Sequence, residues 1–317
     1  MNKRLVAIDI IRGISITLII LSHTTSSSDM LRKFLFAFHV PIFFAISGFF
    51  YTNNKKKIIK RVVFWIGLYI ILTAIDIICV YFFSPSYFTK KIILNGFLGL
   101  DSQLVFNSPK WYLLTLSEIE LCYYFIFECK NRIKILVCIL GAILANCVHI
   151  HLLFGLQIVF SSWIFFSFGN MIKPYLQKNF CNNILQKKKL VITICIGTCA
   201  LWILSQLNGT VSIQDSKFGN SYILFLVNAF GGIFLLYLLG ILISHNKILE
   251  FLGRNTLIFL CLHYYLIRGL FPKLIPQIYS TFCGKIFGTL IAILCISILI
   301  KLLETIKVKK LVFNFRN

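Results

Sequence analysis

Long apolar runs dominate the chain, and basic and polar residues collect between them. Ten runs approach the ~20 residues a helix needs to cross a bilayer: 5–24, 31–52, 62–83, 111–129, 134–150, 155–172, 190–206, 221–243, 255–271 and 284–304. Polar residues do not alternate with apolar ones inside the runs, so the pattern predicts helices and not the strands of a barrel. Pro41 in the second run cannot donate an N–H. It frees the carbonyl of Ala37 and predicts a kink. Ser47 and Gly48 follow, small residues that let helices approach closely. Ser84-Pro85-Ser86 and Ser108-Pro109 are turn signals that bracket the longest polar connection, 84–110, and 207–220 is the second. No internal repeat or appended soluble segment interrupts the pattern, so residues 1–317 read as a single transmembrane domain.

Composition sharpens this to an all-α integral membrane protein, a bundle of about ten transmembrane helices in the plasma or inner cell membrane. Apolar side chains make up 58% of the 317 residues, charged ones only 13%, and the mean hydropathy is +0.87. A soluble domain carries ~25% charged residues. The formal charge of +22 would raise nucleic acid in a soluble chain. Here no basic stripe is interleaved with aromatics, and the reading is no nucleic acid partner. The cations are topology signals and contacts for anionic membrane lipid.

With both termini cytoplasmic, 22 Lys and Arg fall on the inner side and 9 on the outer, and Arg12 within the first run completes the 32. That split follows the positive-inside rule. Lys3 and Arg4 precede an apolar stretch in the manner of a signal peptide, but Asp9 and Arg12 lie inside it, which reads as a retained first span. The eleven Cys lie mostly within apolar runs and form no CxxC pair with other ligands, so no metal site is expected. Cys195 and Cys199 share a helix face and read as packing.

Ionisable groups inside a bilayer are costly and become functional candidates. Asp9 and Arg12, three apart, can pair on one helix face. Arg12 and His23 are eleven apart, which returns to within about 20° of the same face with a rise of roughly 16 Å. Arg12 therefore sits in the inner half of the membrane and His23 in the outer half. His39, beside the expected Pro41 kink, borders a small outer cavity. Glu118 and Glu120 are about 200° apart on a helix and cannot share a cavity. Glu118 reads as protonated or snorkelling. His149 and His151 read as interfacial. Trp111 can stack on a sugar ring or serve in the aromatic belt.

These residues carry a resemblance. Asp9-x-x-Arg12-Gly13, the Arg12-x10-His23 spacing, Phe38-His39-Val40-Pro41-Ile42-Phe43-Phe44 and Ser47-Gly48-Phe49 resemble the membrane-bound acyltransferase-3 family, integral-membrane O-acyltransferases acting on bacterial polysaccharides and other glycans. Lys60-Arg61, Trp111-Tyr112-Leu113, Gly253-Arg254-Asn255-Thr256-Leu257 and Leu262-His263 continue it in order, over residues 4 to about 264. The chain is most similar to the fucose-4-O-acetylase branch, from which Tyr112 departs where Phe is usual and Leu114 where Pro is frequent.

The resemblance implies acetyl-CoA as co-substrate, met from the cytoplasm, and a glycan or lipid-linked saccharide as acceptor. It implies His23, Arg12 and Asp9 as the catalytic group, with His23 as general base or as a covalent acyl carrier. Arg12, Lys60 and Arg61 would hold the phosphates of CoA. His39, Glu120, Trp111 and His263 would bind substrate, with His39 as a donor to the oxyanion. A competing reading is a transporter or flippase for a glycan or small anion, with Arg12 in its ligand path.

Overall fold

The computed structural model describes residues 3–26, 28–100, 108–147, 152–179 and 187–306. His149 and His151 lie outside the described residues. In chain order the helices begin with α1, Lys3–His23, and the short α2, Met30–Phe36, and α3, Pro41–Phe50. The long α4, Lys55–Phe83, leads to α5, Lys90–Leu98, within the polar connection, and then to α6, Trp111–Ile126, and α7, Asn131–Cys147. α8, Leu156–Asn179, and α9, Lys187–Asn208, precede a hairpin of β1, Val211–Ser212, and β2, Lys217–Phe218, in which Val211 pairs with Phe218. α10, Tyr222–Ile243, α11, Lys247–Arg254, and α12, Thr256–Tyr264, follow. A π-helical stretch, Tyr265–Leu270, joins α12 to α13, Phe271–Leu274, and α14 is Phe282–Thr305.

Among the described residues each apolar run contains a helix, and eight segments are long and apolar enough to cross a membrane. The two others are α6, with 16 residues, and α7, with 17. α6 is bounded by a 3-10 turn at Ser108–Lys110 and by the turn after Phe127, so the helix is shorter than the apolar run that predicts it. The burial of the spans separates inner from outer helices. α1, the α2–α3 segment and α8 are 56–61% buried, whereas α9 and α14 are only 17% and 28% buried. α9 and α14 turn Ile196, Ile203, Leu290 and Leu294 outward, as lipid-facing helices do.

Contacts between segment ends define two faces. Arg12 stacks on Phe50, Lys173 donates to the carbonyl of Tyr51, and Asp9 pairs with Arg254, all on the face that carries the N-terminus. On the opposite face Gln206 donates to the carbonyl of Met30, Lys285 pairs with Asp29, and Arg268 donates to the carbonyl of Thr25.

Pro41 does more than kink its segment. The helix stops at Phe36, four residues turn, and a new helix starts with Pro41 in its first turn, the position where a missing N–H costs nothing. Gly48 lies against the backbone of Phe166 on α8, and a Cβ there would overlap the Phe166 carbonyl, so the close approach expected from Ser47-Gly48 is present.

The buried apolar residues form two main clusters. One gathers α3, α6, α8 and α10 around Phe44, Tyr123, Phe166 and Phe225. The other gathers α1, α12 and α14 around Ile16, Ile20, Phe259 and Ile296. Phe43 packs against both.

Candidate active site

A cavity of about 280 Å³ opens along the seam between these clusters. α1 supplies Arg12, Ile16, Ile19 and His23, positions that recur at helical spacing on one face. Arg12 and His23 thus line the same space. The broken α2–α3 segment adds Phe36, His39, Val40, Phe43 and Ser47, and α6 adds Trp111 and Tyr112. Ser212, Ile213 and Gln214 of the hairpin border the His23 end, and Gly253 and Arg254 border the Arg12 end.

Two glycines build the Arg12 end. A Cβ on Gly13 would overlap the carbonyl of Leu249, and one on Gly253 would overlap the carbonyl of Asp9. Glycine at both positions lets α1 and α11 touch backbone to backbone. Their neighbours then meet: Arg254 Nε donates to Asp9 at 3.2 Å, and the same guanidinium reaches Glu250 at 3.1 Å. Arg12 lies 4.8 Å over the Phe50 ring. Asp9 itself does not line the cavity. It is fourteen positions from His23, a rise of roughly 21 Å along the helix, so it cannot orient that imidazole.

At the other end three histidines gather. The His23 ring centroid is 5.3 Å from His263 and 5.2 Å from Tyr264, and Phe36 lies between, 5.9 Å from His23 and 4.7 Å from His39. His39 Nδ1 donates to the carbonyl of Leu35 at 2.6 Å, and His263 Nδ1 donates to that of Phe259 at 2.7 Å. A carbonyl only accepts, so Nδ1 carries the proton in both rings and Nε2 of the neutral imidazole is an acceptor. His39 therefore cannot serve as a neutral oxyanion donor, the role the resemblance gives it. His263 is fully buried and does not line the cavity, and its Nε2 has no partner among the described residues.

Of the other expected residues, Arg61, Glu120 and Lys60 do not line the cavity. Arg61 and Glu120 engage each other in a fork, with Nε–Oε2 at 2.8 Å and Nη2–Oε2 at 2.6 Å. This geometry fixes both groups. Lys60 is exposed on the N-terminal face. Glu118 is partly buried, and its Oε2 has no hydrogen-bond partner among the described residues. Trp111 is part of the cavity wall, as is Tyr112, whose hydroxyl lies 3.1 Å from Ser47 Oγ.

Two features had little signal in the sequence. Arg254 stood only as part of the Gly253-Arg254-Asn255 stretch, with nothing to connect it to Asp9. Asp76, a buried acid in α4, accepts from Lys110 at 2.5 Å and from Tyr265 at 2.7 Å. This holds Pro109-Lys110-Trp111 beside the cavity. Burial pulls the Lys110 ammonium below the ordinary lysine range, and Asp76 opposes that pull. Among the described residues no group of three or more His, Cys, Asp or Glu is placed to hold a metal ion.

A family model described as an acyltransferase domain matches residues 5–302. No curated protein and no solved structure matches the chain.

Proposed function

The chain belongs to the acyltransferase family whose model spans residues 5–302, as a multi-pass membrane transferase, and on that premise we propose that it moves an acetyl group from acetyl-CoA to a hydroxyl of a cell-surface or exported glycan, free or lipid-linked. The observation that carries this reading is one cavity with Arg12 at one end and His23 at the other. The excess of Lys and Arg on the face of the N-terminus supports a cytoplasmic position for that face. Acetyl-CoA then meets Arg12 and Arg254, and an exported glycan meets His23.

The residues fit the donor in part. A 280 Å³ cavity is at the small end of ligand sites and suits a thioester arm, with the nucleotide left at the basic surface. Arg12 and Arg254 offer planar donor forks to phosphate or carbonyl oxygens. Arg61 is committed to Glu120, so Lys60 and the neighbouring Lys55, Lys56 and Lys57 are the surface cations for the CoA phosphates. His23 lines the cavity. In the reaction it takes the proton of the acceptor hydroxyl as the oxygen attacks the thioester carbonyl. The C–S bond breaks when the tetrahedral intermediate collapses, and the proton passes from His23 to the departing sulfur. Asp9 is a positioning residue that acts through Arg254.

Vesicles containing the protein, radiolabelled acetyl-CoA and a glycan acceptor test the reading. His23→Ala is expected to abolish acetyl transfer while the protein still inserts. Normal transfer by that variant would overturn the assignment.

A further inference from the structure

The face that carries His23 holds two guanidiniums that the mechanism above does not use. Arg32, in the first turn of α2, is partly buried and lies 3.9 Å over the ring of Phe36, itself a wall of the cavity. Arg268, in the π-helical stretch, donates to the carbonyl of Thr25, two residues beyond His23, at 2.9 Å. Arg32, Arg268 and His23 are close enough to act on one another electrostatically. Like charges near one another repel, so an anion bound between the partly buried Arg32 and the exposed Arg268 is favoured by both.

Among the described residues the chain sets no carboxylate in an ion pair with either guanidinium. Asp29 is taken by Lys285 and by the backbone N–H of Leu31. Asp76 is taken by Lys110 and Tyr265. Asp215, on the hairpin, accepts from Ser212 at 2.8 Å and influences Arg32 without an ion pair between them. Neither Arg32 nor Arg268 pairs with a carboxylate among the described residues. The stack on Phe36 fixes the plane of the Arg32 guanidinium and leaves its edge donors open. A paired planar donor set of this kind suits the oxygens of a carboxylate or phosphate.

We propose that Arg32 and Arg268 form the receptor for an anionic group, a carboxylate or phosphate, on the acceptor saccharide whose hydroxyl is presented to His23. The inference rests on the acyl-transfer reading and deepens it by naming the acceptor as an acidic or phosphate-linked saccharide. Phe36, between Arg32 and His23, then sets the spacing between the anion and the reacting hydroxyl.

The test is direct binding, kept separate from catalysis. Wild type, Arg32→Gln, Arg32→Lys and Arg268→Gln are placed in vesicles of phosphatidylcholine alone. Equilibrium dialysis then measures binding of methyl glucuronide, inorganic pyrophosphate and methyl glucoside. Both anions, or one of them, are expected to bind wild type more tightly than the glucoside. Each Gln variant is expected to weaken anion binding about tenfold or more and to leave the glucoside unchanged, and Arg32→Lys is expected to recover part of the loss. Preference for glucuronide identifies an acidic sugar, and preference for pyrophosphate identifies a diphosphate-linked one.

Equal binding of anion and glucoside, or anion binding indifferent to both arginines, overturns the proposal. So does loss of anion binding when phosphatidylglycerol is added to the vesicles, which would assign the pair to a lipid headgroup. Acetyl transfer recorded in parallel separates the two readings. Anion binding without transfer to any acceptor removes the acetyltransferase reading alone, and transfer to neutral glycans without anion binding removes the receptor alone.

Discussion

Asp9 and Arg254 stand 245 residues apart in the chain and meet at 3.2 Å across two helices in backbone contact. The contact depends on Gly13 and Gly253, where a Cβ would overlap the opposing carbonyls. Gly253→Ala is expected to push α11 away from α1 at a cost of about 1–3 kcal/mol, the range for overpacking a tight interface. It is also expected to move Arg254 off the cavity, so thermal stability in detergent and acetyl transfer should fall together. Gly67→Ala is the control. Nothing lies within 4 Å of a Cβ there, so stability should hold or rise by about 0.5–1 kcal/mol, the usual helix gain of Ala over Gly.

The Asp76–Lys110 pair makes a second prediction. Both side chains are at most 5% exposed, so removing one partner strands a buried charge. Asp76→Asn is expected to cost about 3–5 kcal/mol. The double variant Asp76→Asn, Lys110→Met is expected to recover most of it, because no charge is left to bury. Thermal unfolding of the two variants measures the difference. Equal losses in both would mean that the pair does not hold the connection before α6 in place.

Arg61 gives a third. The family resemblance assigns it to the phosphates of CoA, whereas it forks onto Glu120. Arg61→Gln should therefore destabilise the protein, and Arg61→Gln with Glu120→Gln should restore it. If Arg61 is structural, the double variant keeps the KM for acetyl-CoA near that of wild type. A KM raised about tenfold in the folded double variant would return Arg61 to the donor site.

What the sequence revealed of this site follows from what helical periodicity can encode. Arg12 and His23 were legible because eleven residues on one helix fix their shared face regardless of the surroundings. The break before Pro41 was legible because a missing N–H acts locally, although the structure stops and restarts the helix where a kink was expected. Sequence spacing shows only partners on the same helix, so from Asp9 it can point to Arg12 and to nothing across the bundle. Arg254 reaches Asp9 through a packing contact that no local pattern records. The resemblance gives Arg61 and Glu120 roles in binding, and nothing in the spacing of α4 and α6 says that their side chains meet. The π-helical stretch that carries Arg268 has no periodic signature, and the order in which acids and bases pair across the bundle depends on the fold as a whole.

His39 supplies the last prediction, because its hydrogen bond settles which nitrogen is available. Nδ1–H goes to the carbonyl of Leu35 at 2.6 Å, and the ring lines the cavity with His23. The neutral ring then offers Nε2 as an acceptor, fit to orient the acceptor hydroxyl and unfit to hydrogen-bond an oxyanion. The amide of Asn overlays Nδ1 and that of Gln overlays Nε2, so two substitutions separate the two bonds. His39→Asn keeps the bond to Leu35 and removes the acceptor, and should lower acetyl transfer to near the level of His39→Ala with little loss of stability. His39→Gln keeps an acceptor in the cavity and strands the Leu35 carbonyl. It should retain more activity than His39→Asn while unfolding at a lower temperature. The reverse order of activities would mean that the bond to Leu35, and not the acceptor at Nε2, is what the reaction requires of this residue.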